Sequence, residues 1–371
     1  MNSRYLKLLS LKKFKKQVCL AVLVCLLLSI AILHTRWSLF TDENVSCHYT
    51  AVEDSLPLFV DLSSPVTIFQ FLGYEKVDQR EDRDRRYIFF HETSCRGDLT
   101  PRQACAIESA ARAHPNWTVI VLFSSSVSAR AGRAGGLRRL ILPNVKYARV
   151  KLPDYVMGTP LQDIVLQGKL NSSSYPHSHT SDVLRYTTLY KHPGVYLDLD
   201  VVVARSIDEL GGSFVVRESD HAVAAAVIAF DDGEVGRSVA RAVAWEMKET
   251  FRGDEFGHNG PGVITRVLAR RCGTDDPSAM NAFMCQGLKV YGPELAYPIP
   301  WHEAYKYFSD AGSQPVLADS SHSQPLLPAR LFHVWGRFSS HYSAHAGSLY
   351  HHLTRKYCPT IYAAFPQEFG R

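Results

Sequence analysis

Two carboxylates, Asp198 and Asp200, sit two residues apart in the run from Tyr196 to Val203, Tyr-Leu-Asp-Leu-Asp-Val-Val-Val. The alternating, β-branched residues around them read as a buried strand. Burying two like charges together is costly unless a positive charge compensates them. A divalent cation is the natural compensator, because hard cations take carboxylate oxygens and keep positions open for phosphate oxygens. The pair therefore points to metal-assisted chemistry on a phosphorylated substrate. Spacing alone is a weak signal: Asp82-Arg83-Asp84 repeats it within the almost wholly charged run from Gln79 to Arg86, which reads as a solvated loop. The second copy differs in its setting, with Gly194 just upstream, apolar residues on both sides and few charges nearby.

The elements that must position this pair follow from periodicity. Ser181 to Lys191 reads as a helix that Ser181 can cap, and it leads directly into the carboxylate strand. Before it, Tyr87 to Phe90, Trp117 to Phe123 and Tyr147 to Leu152 read as strands, and Arg102 to His114 as a helix with Ile107, Ala110 and Ala111 inward. Such alternation implies a mostly parallel sheet in an α/β sandwich. Ligands in these sheets bind at the carboxyl ends of the strands, where Asp200 is expected. After Asp220 come an apolar run from Ala222 to Phe230 and two helices, Val235 to Phe251 and Gly260 to Arg271, the latter with Pro261 in its first turn. A loop-rich stretch beyond Ser309 ends in a short strand, Arg330 to Trp335.

The N-terminus sets the compartment. Residues 1–16 carry six basic residues and no acid, and Val18 to Leu33 has no charge and one polar residue, Ser29. Gln17 and His34-Thr35 extend the apolar run to about 19 residues, enough for a span. A cleaved signal peptide is the rival reading; the long basic tail and the lack of a small-x-small site before Arg36 and Trp37 favour an uncleaved anchor. The positive-inside rule puts the tail in the cytosol and the rest in the lumen. The expected organisation is a tail (1–16), a signal-anchor helix (17–35), a stem (36–64) and a lumenal domain (65–371), with halves at about 85–215 and 216–371. A short span suits thin early secretory membranes, hence Golgi over plasma membrane. Without the six tail residues the formal +5 falls near −1, so nothing suggests a nucleic-acid partner.

Cysteine usage agrees. Cys47, Cys95, Cys105, Cys272, Cys285 and Cys358 lie beyond the span, where disulfides persist. Their connectivity is mostly open; Cys272 and Cys285 close a short polar loop and form the preferred local pair. No Cys-x-x-Cys occurs, which argues against structural zinc. Asn44, Asn116 and Asn171 head glycosylation sequons.

Several blocks together resemble the DxD-containing α-1,4-glycosyltransferases. They are Phe89-Phe-His-Glu-Thr-Ser, Glu108-Ser-Ala-Ala-Arg, Ser181-Asp-Val-Leu-Arg-Tyr, Leu189-Tyr-Lys-His-Pro-Gly-Val-Tyr-Leu-Asp-Leu-Asp, Gly257-His-Asn-Gly-Pro, Tyr297-Pro-Ile-Pro-Trp, His333-Val-Trp and Tyr357-Cys-Pro-Thr. The resemblance spans about Phe89 to Thr360. It implies a GT-A-like nucleotide-sugar-binding fold, Golgi type II topology and retaining transfer of galactose or N-acetylgalactosamine from UDP-galactose or UDP-N-acetylgalactosamine to a glycolipid. By it, Asp198 and Asp200 hold Mn²⁺ (or Mg²⁺), and His333 is a third ligand or else a satisfied core histidine. Asp182 and Arg185 contact donor, or form a surface ion pair one turn apart; Tyr186 lies beside them. Glu92 and Thr93 contact nucleotide or merely end a strand. His258, Asn259 and Gly260 line the cleft at a helix N-terminus. Trp301 stacks on a sugar or packs in the core.

The chain departs from the family in two places. His192-Pro193-Gly194 replaces the usual Gly-Gly, and Ala224-Ala225 stands where relatives often carry Asn. The second keeps a rival open, a catalytically silent lumenal lectin or partner subunit. A glycoside hydrolase would instead need two carboxylates flanking a sugar and no nucleotide metal.

Overall fold

Strands β1 (Tyr87–Glu92) and β2 (Thr118–Phe123) send alternate side chains to opposite faces, and both faces are covered. Ile88, Phe90, Val119 and Val121 enter one core; Phe89, Ile120 and Leu122 enter the other. A strand buried on both sides reads as a continuous apolar run, which is why this part of the chain was legible. The computed structural model describes residues 45–48, 55–67, 70, 86–127, 135–309 and 329–370. The expected tail, anchor and Asn44 sequon lie outside them, as do Asp82-Arg83-Asp84 and most of the loop-rich stretch after Ser309. Among the described residues no helix is long and apolar enough to cross a membrane.

The remaining strands are β3 (Val145–Arg149), β4 (Gly194–Leu197), β5 (Val201–Val203), β6 (Phe214–Arg217), β7 (Val223–Phe230), β8 (Lys289–Tyr291) and β9 (Leu331–His333). Seven of them form one sheet in the order β3-β2-β1-β4-β7-β6-β8. β7 runs antiparallel to both neighbours and every other pairing is parallel. The expected mostly parallel α/β sheet is therefore present. β5 and β9 form a separate antiparallel pair.

The longer helices are α1 (Pro101–Ala113), α2 (Pro176–Lys191), α3 (Glu234–Thr250), α4 (Pro261–Cys272), α5 (Leu349–Tyr357) and α6 (Pro359–Ala364). One core joins α1, α5, α6 and the β5–β9 pair to the sheet, and the other joins α2, α3 and α4. Two helix starts differ in how they are set. Thr100 and Gln103 make a reciprocal capping box for α1. α2 begins five residues before the expected Ser181 cap, because Pro176 occupies its first turn and the seryl hydroxyl points inward to Tyr196 instead.

Two further expectations need correction. The stem ends earlier than residue 64: residues 55–67 run along β3, with Phe59 N–H donating to Arg149 and Val66 N–H to Tyr147, so they cover an otherwise open sheet edge. The carboxylates lie in a turn just past β4 and not within a strand, since each side chain keeps about a quarter of its surface open, 26% for Asp198 and 23% for Asp200.

Disulfides link Cys47–Cys95, Cys105–Cys358 and Cys272–Cys285, the last being the expected local pair. Cys105–Cys358 closes a junction built around Glu108, which is fully buried. Its carboxylate accepts the Thr360 N–H (3.0 Å) and Ile361 N–H (2.8 Å) of the first turn of α6, and the Arg112 Nε (2.7 Å). These N–H groups have no partner within their own helix. Glu108→Ala is expected to lower stability by about 2 kcal/mol, because it leaves one buried and one part-buried donor unpaired and removes the partner of a half-exposed cation. Urea titration checks this through a lower midpoint at unchanged slope; an unchanged midpoint would show that the junction does not depend on the carboxylate.

Candidate active site

The chain leaves the main sheet at the Asp-x-Asp. Asp198 N–H still donates to Ala226 of β7 (3.0 Å), Val201 N–H closes a turn on the Asp198 carbonyl (3.1 Å), and β5 then pairs with β9. The register of that pair sets Val201 opposite His333, and Val334 N–H donates to the Asp200 carbonyl (3.0 Å). A histidine 133 residues beyond Asp200 is thereby fixed beside it. Asp198, Asp200 and His333 each offer one ligand atom, all within 4.8 Å of one another.

Each carboxylate has one oxygen anchored and one presented. Asp198 Oδ1 accepts the Tyr196 hydroxyl (2.6 Å) and lies 3.3 Å from Arg185 Nη2, whereas its Oδ2 faces His333 Nε2 at 4.0 Å. Asp200 Oδ2 accepts the Gly336 N–H (2.5 Å), whereas its Oδ1 faces the same Nε2 at 3.0 Å. Burial opposes charge on the His333 imidazole, but the Asp200 carboxylate outweighs it and draws the pKa upward. Asp200 moves the other way: burial would raise it, and the neighbouring imidazole holds it below the usual carboxylate range. Two oxygens and an imidazole nitrogen converge here, each carboxylate with its other oxygen tied down and His333 Nδ1 buried with no partner among the described residues, and that donor set fits Mn²⁺ or Mg²⁺.

Behind the pair lies one buried cation. Arg185 Nη2 is 3.2 Å from Asp182 Oδ1, its Nη1 donates to the Ala225 carbonyl (2.7 Å), and the guanidinium sits 4.8 Å over the Tyr196 ring. Burial would discharge it, but Asp198 and Asp182 keep its pKa above the ordinary arginine value. Burial pushes Asp182 up to about 7 against the pull of Arg185, with Asp198 adding repulsion. The surface ion pair that spacing left open is thus an interior one.

The other expected residues divide. Tyr186 is fully buried and its hydroxyl donates to the Gly260 carbonyl (2.7 Å), so it fastens a loop and does not face the cleft. Asn259 is fully buried too. Its amide oxygen accepts the Arg252 N–H (3.0 Å) and its amide nitrogen donates to the Arg252 carbonyl (2.5 Å), so both ends of the buried amide are engaged with the loop backbone. His258 Nε2 donates to the Thr250 carbonyl (2.8 Å), a second tie within the same loop. Gly260 is required by closeness: a Cβ there would come 2.5 Å from Asp182 Oδ1. Glu92, the last residue of β1, is wholly buried and accepts from Ser94 N–H (3.0 Å); burial raises its pKa, and its Oε2 has no partner among the described residues. Thr93 donates to the His177 carbonyl (3.1 Å). Trp301 is 48% exposed, which excludes the packed-core alternative.

Tyr196 and Gly336 were missed. Tyr196 stands two residues before Asp198, and strand periodicity would have put it on the same side. Gly336 had no local signal, because only the β5–β9 ladder brings it near. A second convergence was also unforeseen: Cys47, His48, Cys95 and His177 offer atoms within 4.8 Å of one another. A Cys-x-x-Cys spacing does not describe a set drawn from three separate segments. Its sulfurs are joined as a disulfide, and burial lowers the His48 pKa to about 4.

Residues 100–215 match the glycosyltransferase sugar-binding region containing a DXD motif, and residues 233–365 match the alpha 1,4-glycosyltransferase conserved region. Rat lactosylceramide 4-alpha-galactosyltransferase is 30% identical over 282 residues, 75% of each chain. The chain belongs to the DXD-containing α-1,4-glycosyltransferase family. Its human lactosylceramide 4-alpha-galactosyltransferase relative is 29% identical over 75% of this chain and 76% of its own length. Human alpha-1,4-N-acetylglucosaminyltransferase is 24% identical over 75% and 80%.

In this α-1,4-glycosyltransferase the Gly257-His-Asn-Gly-Pro block is a self-tied loop carried on α4 and held to α2. Asn259→Ala is expected to weaken that loop by roughly 1–3 kcal/mol, the cost of stranding the Arg252 backbone groups. Hydrogen exchange at residues 252–260 should accelerate by about tenfold or more. Unchanged protection would return Asn259 to the candidates for direct substrate contact.

Proposed function

We propose that this chain is a GT-A-type, metal-assisted retaining glycosyltransferase that moves galactose or N-acetylgalactosamine from a UDP-sugar, in α-1,4 linkage, to a glycolipid acceptor. The observation that carries the reading is the paired disposition of the carboxylates, each with one oxygen anchored and one turned toward His333. The two family regions that the chain matches support it, as do relatives whose names specify α-1,4 transfer. The relatives' names differ in the sugar, so the donor is set by test and not by kinship. The basic N-terminus and the apolar run after it support a single-pass type II anchor in the Golgi membrane with the catalytic part lumenal.

Asp198, Asp200 and His333 would hold Mn²⁺ or Mg²⁺, which when bound offsets the negative charge that builds on the departing UDP. His333 would have to be free of the proton it shares with Asp200 for its Nε2 to serve as a ligand, so affinity should fall in acid. Tyr196 and Arg185 aim Asp198 by holding its Oδ1. Gly336 N–H does the same for Asp200 by fixing one oxygen. Asp182 and Arg185, buried on α2, would act on the donor through Asp198, which Arg185 holds in place. Retention needs no strong base on the protein, because the leaving phosphate can take the acceptor proton.

The silent-partner alternative rested on Ala224-Ala225. Both side chains are buried, and the contact that Ala225 makes with a site group is through its backbone carbonyl to Arg185. Any residue supplies that carbonyl, so the departure removes no partner of Arg185.

The test is UDP release by the full-length, detergent-solubilised chain from a panel of UDP-sugars, with and without lactosylceramide. Release from one sugar, abolished by EDTA and restored by Mn²⁺, is the expected result. Asp200→Asn should cut it on the order of 10²-fold or more, since it weakens charge stabilisation at the leaving group. Folded protein that binds UDP yet releases none from any donor would sink the reading in favour of the silent partner.

A further inference from the structure

Two large aromatic side chains stand partly in solvent on the two segments that brace the carboxylate centre. Trp301 is 48% and Phe338 is 38% exposed, and their rings lie 5.1 Å apart at an interplanar angle of 36°. They come from distant parts of the chain, and each is tied to the centre by its own route. Phe338 follows Gly336, whose N–H holds Asp200 Oδ2, and its own N–H donates to the Trp335 carbonyl (2.8 Å). Trp301 follows Ile299, whose carbonyl accepts the Trp335 indole N–H (2.7 Å). Trp335 itself packs edge-on against His333 at 4.2 Å and holds a left-handed backbone conformation, φ 57°. A non-glycine residue persists there only where its surroundings over-determine it. Arg102 of α1 pins the far side of the turn through the Ser339 carbonyl (3.2 Å).

This arrangement is a rigid platform, and its exposure is costly for a side chain pair that could have been polar. A surface loop needs neither aromatic ring for folding. What a platform of this kind recognises is the C–H face of a pyranose. In a galacto-configured ring the hydrogens on C3, C4 and C5 share one face, and the axial O4 projects from the other. Stacking on that face therefore leaves O4 free, and O4 is the atom that an α-1,4 transfer must engage.

We propose that Trp301 and Phe338 form the acceptor subsite, binding the terminal galacto-configured sugar of the acceptor through its C–H face and presenting O4 to the centre. This rests on the glycosyltransferase reading and extends it by naming the residues that choose the acceptor and the sugar configuration they choose. It also specifies which sugar Trp301 stacks on, that of the acceptor.

The experiment measures steady-state kinetics of the full-length chain with its active UDP-sugar and free lactose as acceptor, for wild type, Trp301→Ala, Trp301→Phe and Phe338→Ala. The alanine variants should raise the acceptor KM by about tenfold, with the donor KM moved less than about twofold. Trp301→Phe should recover most of the loss, as a merely structural role would not require. Cellobiose, whose terminal O4 is equatorial, should be a poor acceptor for every form. Equal rises in donor and acceptor KM would overturn the assignment, and so would an effect seen with lactosylceramide but absent with lactose, which would make the platform a lipid contact. If the wild type turns over no donor, the glycosyltransferase reading fails by itself. Saturation-transfer NMR with lactose still decides the subsite: contact at the galactose C–H face that vanishes in Trp301→Ala supports it, and lactose bound equally by both forms refutes it.

Discussion

One buried guanidinium governs the centre. Arg185 stands between Asp182 and Asp198 with almost no access to solvent, and a single cation cannot fully neutralise two carboxylates. Burial pushes the Asp182 pKa up to about 7 despite Arg185, with Asp198 adding repulsion, while Asp198 keeps one oxygen against Arg185 and Tyr196 and turns the other toward His333. Without Arg185 the two carboxylates would repel across α2 and β4, and the turn that carries the Asp-x-Asp would lose its backing. The same guanidinium also reads the sheet, through the Ala225 carbonyl of β7, so sheet and site share one fixed point.

The second constraint is topological. A chain that stayed in the main sheet past Leu197 would have buried both aspartates within a strand, at the desolvation cost of two unpaired charges. Leaving the sheet at that point puts the charges at the seam between two sheets, where water and a ligand can reach them. The β5–β9 pairing then does two things. It closes the core through Val201, Val202 and Val203, and it delivers His333 and Gly336 to the presented and the anchored side of Asp200. Stability and site geometry come from the same ladder, so the Asp198–Asp200–His333 cluster is as firm as the core beneath it.

How much of this was legible follows from range. Strand–helix alternation, the parallel sheet and the placing of Asp198 and Asp200 at a carboxyl end were readable, because periodicity and charge in an apolar run are local properties. The Asp182–Arg185 pair was readable as one helical turn, but its burial was not, since the surroundings of α2 depend on β4 and β7. Ser181 looked like a cap because seryl caps are common; Pro176 had the stronger claim and the hydroxyl went to Tyr196. Three-residue strands such as β5 and β9 carry too little pattern to announce their pairing, so His333 was found by resemblance and Gly336 was not found at all.

The family blocks therefore do not all mark the site. Glu108 and Thr360 belong to two blocks 252 residues apart, and they meet as carboxylate and helix N-terminus beside the Cys105–Cys358 disulfide, away from the Asp-x-Asp. Gly257-His-Asn-Gly-Pro spends its polar groups on its own loop. A residue shared across such a family answers either to chemistry or to a junction with few physical solutions, such as a buried donor pair or a glycine pressed against a carboxylate. The discriminating property is what remains unspent after local bonds are satisfied. By that measure the presented oxygens of Asp198 and Asp200, the His333 imidazole and the partly exposed rings of Trp301 and Phe338 are the groups whose local bonds leave them open.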